Sequence, residues 1–469
     1  MICEDCEVFT LSEQDGTQNA ILERPANEDK RAWEAYWRHL GQPWRKEPEI
    51  SKERQEYLTE KRKIESDFEQ DFFPFKDIKL SRADIEWLLA THDNNRGPID
   101  WNDESQRKRK GLDLLGADLR GLDLSRLPLA KCHLKSAHLE GASLSYAHLE
   151  RAFIHEAHLE GAFISEAHLE GADLYFSHLE KAILFYTHLE GAKIYKSHLE
   201  DAHLKDAHLE EVNLNEAHLE RAVLRGAHLE KADLSEAHLE KVDLSEAHLE
   251  KAILFYTHLE GAVLNGAFFD GESHLDRIKL SNDEHGTASL SDIHWGEVNV
   301  AVVDWSKISR LGDESDFDYE TATRAYRQLS TALRNQGLNE DAARFTYRAQ
   351  LMQREVFYNQ NKYGQYLFSL FLDLLSGYGY KPWRCFAAYL LVILTFAIAY
   401  FIFGHTVGPV LSPLGSAVFS MTSFHGRGFF PGGIGLDDPL TVIAALEAFV
   451  GLLIEVTFIA TLTQRLFGR

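Results

Sequence analysis

From Leu112 to about Gly271 a Leu, Ile or Phe recurs every fifth residue, at Leu114, Leu119, Leu124 and onward to Leu264 and Phe269. Two residues before each stands a small or modest apolar side chain, mostly Ala, as at Ala137, Ala142, Ala147 and Ala152. A helix repeats its buried face about every 3.6 residues and a half-buried strand about every 2, so a period of five fits neither. It predicts a coil that turns two of every five side chains inward. An internal repeat of this kind sets the architecture of its segment.

The flanks follow other patterns. Residues 1–111 read as a separate, mixed unit. AWEAYWRHLGQPWR (32–45) and ERQEYLTEKRKIES (53–66) look helical, the second with alternating charge suited to an exposed face. SRADIEWLLATHD, from Ser81, reads as a helix with Ser81 as N-cap, able to cover the open edge of the coil. Residues 272–317 read as an irregular linker. In 318–364, Ala322, Tyr326, Leu329 and Leu333 keep helical spacing. Gly337 ends that helix, Asn339 is placed to cap the next, and Ala342, Phe345, Ala349 and Met352 continue the pattern. The pair resembles a single tetratricopeptide-type hairpin, which implies packing rather than a peptide groove. Residues 366–383 are amphipathic and suit a membrane interface.

Two runs near the C-terminus change the class of the protein. Residues 386–404 hold no charge over 19 positions, and 440–462 are apolar except for Glu447 and Glu455. Each is long enough to cross ~30 Å of hydrocarbon as a helix. Lys381 and Arg384 precede the first, Arg465 and Arg469 follow the second, and the loop between holds one cation, Arg427. Both termini are therefore expected in the cytoplasm, in a bacterial inner or plasma membrane, with the loop outside. No apolar run behind a basic start suggests a secretory signal. A helical hairpin buried in a soluble domain is the alternative reading.

Charge and cysteine add limits. The formal net charge is −24, so a basic face for nucleic acid is not expected. Cys3 and Cys6 form one CxxC, which lacks the second pair of a zinc site, and no metal or cofactor is assigned.

ADLRG (117–121) and ADLSE (232–236) resemble the A-(D/N)-L-x-x consensus of pentapeptide-repeat proteins. The resemblance implies a right-handed, quadrilateral parallel β-helix with about four pentapeptides per coil. About 32 units then make about eight coils and a rod of roughly 40 Å at ~4.8 Å per coil. His-Leu-Glu occurs thirteen times at ten-residue spacing, from His138–Glu140 to His258–Glu260. With twenty residues per coil it stacks on two opposite faces, where His and Glu flank the inward Leu and point outward. Three readings stay open: a solvated face copied by duplication, as AILFYTHLEG at both 182–191 and 252–261 suggests, a pH-responsive surface, or a metal-binding ladder.

The order apolar helix, short helix (412–424), Gly-containing turn (422–431) and apolar helix resembles the two-transmembrane pore module of tetrameric potassium channels. Only residues 382–469 carry that resemblance, with spans at about 384–404 and 440–464. Ser412 and Pro413 suit the start of a re-entrant helix. Where the family carries T-V-G-Y-G, this chain reads Thr422-Ser423-Phe424-His425-Gly426-Arg427-Gly428. The G-x-G frame remains, but Arg stands in the aromatic's place, and a ring of Arg427 would repel cations. Glu455, four residues after Gly451, would favour cations, and Gly451 reads as a hinge. Glu447 is placed to face His425 or Arg427.

The resulting expectation is a multidomain chain: an N-terminal helical cap (1–111), a pentapeptide β-helix (112–271), a linker (272–317), a helical hairpin with an interfacial helix (318–381) and a two-span pore hairpin (382–469). It would be a homotetrameric channel passing an anion, or passing ions non-selectively, rather than selecting potassium. Its partners would be the permeant ion, the lipid bilayer and copies of itself. A non-conducting membrane-anchored scaffold is the alternative, and a DNA mimic that binds a topoisomerase, as some pentapeptide proteins do, is a third. An enzyme is not expected, because the titratable residues lie in repeated rows with no unique constellation.

Overall fold

The computed structural model describes residues 23–26, 28–64, 73–314, 318–406, 410–426 and 439–467. The CxxC of Cys3 and Cys6, Arg427 and Gly428 lie outside the described residues.

Among the described residues four helices precede the rod: α1 (Lys30–His39), α2 (Lys52–Arg62), α3 (Arg82–Ala90) and the one-turn α4 (His92–Asn95). Ser81 caps α3 as its position predicts. Its hydroxyl accepts from the Asp84 amide, and the Asp84 carboxylate accepts from the Ser81 amide. Ile85, Leu88 and Leu89 of α3 are fully buried in one apolar core with Leu112, Leu114 and Leu119 of the first coils. The chain just before α3 pairs with the rod at Lys79↔Asp118. Buried Arg82 pairs with Glu86 one turn along α3 at 2.8 Å and ties the cap to the rod through the carbonyls of Asp123 and Ser125 at 2.6 and 3.2 Å.

Through the repeat, each residue of the inter-coil ladder pairs in parallel with the residue twenty positions on, as in His138↔His158, Ser143↔Phe163, His148↔His168 and Phe153↔Asp173. Each coil thus touches the next at four places spaced five residues apart. Leu139 N–H donates to His158 O at 2.7 Å and His158 N–H to Ala137 O at 2.9 Å, and this pair of bonds recurs along the rod. Leu139 and Ala137 are fully buried, and so are their counterparts coil after coil. This is a parallel β-helix whose inward positions are the two that the five-residue period marks. One residue in five must take a left-handed backbone to turn the corner. Gly141 does so at φ 64°, yet Tyr146, Arg151 and Glu156 do so as well, at φ 60°, 53° and 58°. Stacked coils hold these L-residues in a conformation they resist alone.

Some small inward positions are polar. Thr187, Ser197 and Thr257 are fully buried where Ala usually stands. Each hydroxyl donates to a carbonyl of the preceding coil, at 3.0, 2.7 and 2.8 Å, so no buried donor is left open. Cys132 occupies another such position, where burial pushes its thiol up to about 12.

The expectation of an irregular linker over 272–317 is corrected. Coil pairing continues past Gly271, through Ile253↔His274 and His258↔Lys279, then Val263↔Ser289 and Phe268↔His294. The separation grows from twenty to twenty-one and then to twenty-six residues. Between the last two steps lies a small antiparallel hairpin, β1 (Ser281–Asn282) with β2 (Gly286–Thr287). The insertions break the sequence period without breaking the ladder. Three 3-10 turns follow, and the buried carboxylate of Asp313 accepts from the amides of Leu290 and Ser291 at 2.8 and 3.2 Å.

Helices α5 (Tyr319–Asn335) and α6 (Asn339–Asn359) close this end. Tyr326, Leu329, Phe345 and Ala349 are buried in the same core as the rod. Gly337 turns at φ 81° between them. Asn339 does not cap α6: it is the first helical residue, and Leu338 holds the cap position without a side-chain bond. The amphipathic α7 (Tyr363–Ser376) follows, with Leu367, Phe368 and Leu374 exposed. Asp373 on α7 joins three helices. Its carboxylate accepts from Arg354 of α6 at 2.9 Å, and its carbonyl accepts from Arg384 of α8 (Pro382–Thr406) at 3.0 Å.

The C-terminal hairpin is α8, α9 (Pro413–Phe424) and α10 (Pro439–Phe467). Ser412 caps α9, its hydroxyl accepting from the Gly415 amide at 3.1 Å, with Pro413 at the first helical position. Helices α8 and α10 are long and apolar enough to cross a membrane. Only 11% and 22% of their apolar windows are buried within the chain.

Candidate functional site

Short α9 lies between α8 and α10, and its polar side chains face inward. Ser416, Ser420 and Ser423 are buried, as is Glu447 of α10. Glu447 is not paired with His425, one of the partners its position suggested, and Arg427 lies outside the described residues. Its carboxylate accepts from Tyr400 Oη of α8 at 2.7 Å and is bonded to Ser420 Oγ of α9. Ser420 Oγ also lies 2.9 Å from the Ile393 carbonyl. One polar cluster therefore fastens all three helices where each is otherwise apolar. Burial of a carboxylate is costly unless hydrogen bonds satisfy it, and here both oxygens have a partner.

His425 faces Glu455 instead, with Nε2 3.4 Å from Oε1. His425 Nδ1 lies 2.8 Å from the Met421 carbonyl, which can only accept, so Nδ1 carries a hydrogen. Nε2 can then donate to Glu455 only when the ring is doubly protonated, or Glu455 must supply the shared proton itself. The pair marks the polar end of a cleft of about 550 Å³, whose apolar walls include Phe386, Tyr389 and Phe458. Both side chains are about one-third exposed.

The remaining positions are placed as follows. Thr422 bonds its own helix, through Oγ1 to the Phe419 carbonyl at 2.9 Å. Phe424 is buried edge-on against Tyr389, ring centroids 4.8 Å apart. Gly426, at φ 67°, ends α9 in the open. Gly451 lies against the Phe424 carbonyl, so its lack of a side chain serves close packing. Sequence reasoning missed Ser420, Tyr400 and Tyr389. The only signal was a polar residue at a regular interval in an apolar run, and pairing Ser420 with Glu447 needs the tertiary structure.

The rod presents a second arrangement of chemistry. In each His-Leu-Glu the His Nδ1 lies near the Glu Oε1 of the same triplet, from 2.9 Å at His168–Glu170 to 3.6 Å at His208–Glu210. The rings stack on those one coil away, with centroids between 4.7 and 5.2 Å apart. His and Glu are half-buried rather than free in solvent, and Glu150 and Glu260 are buried. The hydrogen bond that His148 donates to the Glu150 carboxylate raises the pKa of His148. At His258 burial acts first and Lys279 adds to it, and the pKa falls.

A family model matches the repeated segment of the rod. The family described as pentapeptide repeats matches residues 123–161, 132–170, 164–201, 202–240 and 232–271. No curated protein matches. Among solved structures, HetL from the cyanobacterium Nostoc sp. strain PCC 7120, a pentapeptide-repeat protein involved in heterocyst differentiation regulation, is 31% identical. The match covers 38% of this chain and 86% of HetL, with a TM-score of 0.21. Rfr23, a pentapeptide-repeat protein of the cyanobacterium Cyanothece 51142, is 32% identical over 25% of this chain and 64% of its own, with a TM-score of 0.13. QnrB1, a plasmid-mediated fluoroquinolone resistance protein, is 13% identical over 42% of this chain and 90% of its own, with a TM-score of 0.27. This chain is a pentapeptide-repeat protein that carries, after its β-helix, two helices long and apolar enough to cross a membrane.

Proposed function

We propose that the chain is the subunit of a homotetrameric membrane channel, anchored by α8 and α10, with its β-helix in the cytoplasm. The observation that carries this reading is the placement of α9. A helix half the length of a span lies between two spans, turns serines toward a buried Glu, and ends at His425 and Gly426 beside Glu455. Non-helical backbone at membrane depth persists only where it is buried in protein or lines water. One hairpin encloses no pore, so four copies around an axis are part of the reading. The largely uncovered apolar faces of α8 and α10 are what lipid and neighbouring copies would cover.

The filter-like stretch Thr422–Gly428 departs from the potassium signature, so anion or non-selective conduction is favoured over potassium. Glu455, balanced in part by His425, is a weak cation ring. The β-helix, right-handed and four-sided in this reading, serves as an acidic scaffold and not as an enzyme. The link from rod to span would run through Asp373, which holds α6, α7 and α8 together.

A second reading is a non-conducting anchored scaffold. It is favoured by the partners both acidic residues find within the chain, Glu447 hydrogen-bonded by Tyr400 and Ser420, and Glu455 facing His425. Bilayer current from purified protein under a salt gradient separates the two, for wild type, Arg427→Ala and Glu455→Gln. Reversal near the anion potential, shifted in Arg427→Ala, supports an anion pore. Reversal near the cation potential, shifted in Glu455→Gln, transfers selectivity to Glu455. Silence from intact tetramers overturns the channel and leaves the anchor.

A further inference from the structure

We propose that the two His-Leu-Glu columns of the rod bind divalent transition cations of the zinc class, each ion held between successive coils by two stacked imidazoles and the carboxylate between them. This inference stands apart from any pore.

The ligand chemistry selects the class. Imidazole nitrogen with carboxylate oxygen suits zinc, nickel, copper or cobalt, whereas calcium and magnesium want oxygen alone. Two His, one Glu and an open position toward water form the kind of three-ligand set that zinc accepts with a solvent molecule as the fourth ligand.

The geometry supplies the sets. His188, Glu190 and His208 place one ligand atom each within 4.8 Å of one another, and so do His218, Glu220 and His238. The arrangement is plainest at His238, Glu240 and His258, where Glu240 Oε1 is 3.4 Å from one Nδ1 and 3.5 Å from the other. Two ligand atoms on one tetrahedral ion, bonded at about 2.0–2.2 Å, stand about that far apart. The third contact closes when a half-exposed ring tilts. Lys279 Nζ already bonds Nε2 of His258 at 2.8 Å, so the mid-rod sets are the better ones.

An independent observation points the same way. The second carboxylate oxygen of every Glu in the two columns, from Glu140 to Glu260, is buried without a hydrogen-bond partner. Glu150 and Glu260 are themselves only 5% and 3% exposed. Burial keeps bulk water from this oxygen at all thirteen positions. The columns stack carboxylates at one-coil spacing, and a dication bound at Oε1, the oxygen that faces the imidazoles, would offset that charge. Ions in adjacent gaps would sit about 5 Å apart and repel strongly, so alternate gaps fill first, about six ions per chain at most.

The test uses the full-length chain in detergent, without a histidine tag and with Cys3→Ser and Cys6→Ser to silence the thiol pair. Equilibrium dialysis against zinc chloride, with metal per chain read by atomic emission, is expected to give several ions per chain. His188→Gln with His208→Gln should remove about one of them, and Glu190→Gln alone should weaken the same site about tenfold. Cobalt chloride should produce the intense visible absorption of a tetrahedral nitrogen and oxygen site, reduced in the double variant. Circular dichroism shows whether each variant keeps its fold. Less than one ion per chain, an unchanged count in a folded double variant, or a cobalt spectrum like that of the aqueous ion would each overturn the proposal.

Discussion

The carbonyl oxygen of Phe424 lies 2.2 Å from the point where a Cβ on Gly451 would sit. The C-terminal turn of α9 is thus seated on α10 at a spot where only hydrogen fits. Gly451→Ala should push the two helices apart and cost the hairpin about 1–3 kcal/mol, because the opposing atom is backbone and cannot swing away. Thermal unfolding of the detergent-solubilised protein checks this. An unchanged melting temperature would mean that the contact is loose and that Gly451 acts through flexibility alone.

Glu447 holds Tyr400 and Ser420 inside the hairpin. Glu447→Leu leaves the Tyr400 hydroxyl buried with no acceptor, at a cost of about 1–3 kcal/mol. Adding Tyr400→Phe removes the stranded donor and should recover part of that loss. A double-mutant cycle on unfolding reads the coupling, and strict additivity of the two changes would show that the bond contributes nothing.

Ala137 is fully buried at a small inward position. Ala137→Trp should break a coil by overpacking, costing about 3 kcal/mol or more. Ala137→Ser should fold, since Ser197 shows the hydroxyl donating to a carbonyl of the coil before, 2.7 Å away at Leu174 O. Circular dichroism melts of both variants compare the outcomes, and equal melts would refute this account of the axis.

Asp123 predicts an acid dependence at the N-terminal cap. Burial pushes its pKa up, but Lys46, Ser125 and Arg82 together hold it down at about 2. The carboxyl titrates at about 3.9 when unfolded. A depressed carboxylate contributes its full stability above the unfolded value and loses it as pH falls through the folded one. Docking of the cap should therefore weaken between about pH 4 and pH 2. Asp123→Asn should flatten that part of the curve, measured by hydrogen exchange in α3. An unaltered profile would assign the acid loss to other groups.

The rod was legible because its period is enforced at every coil. A residue in the Leu114 or Ala137 series has one inward direction, and a larger or polar side chain there must be accommodated by the axis itself. The last coil was not legible, because the extra residues near Asp270 and the hairpin at Ser281–Thr287 shift the phase while hydrogen bonding between coils goes on. Backbone pairing needs a neighbouring strand, not a regular count of residues. The cap at Ser81 and the start of α9 at Ser412 were legible for a local reason, since a cap bond spans three residues.

The hairpin divides along the same line. Local apolarity and length are properties of consecutive residues, so two membrane-length helices and a short one between them follow from the chain alone. Which polar groups meet is not local. Glu447 is forty-seven residues from Tyr400 and twenty-seven from Ser420, and Glu455 is thirty from His425. In an apolar setting a carboxylate takes whichever donors helix packing brings within reach, and that packing places Gly451 at Phe424. The His-Leu-Glu columns show both parts: their ten-residue recurrence is written in the chain, while the twenty-residue coil stacks the rings and leaves a dry carboxylate oxygen beside each.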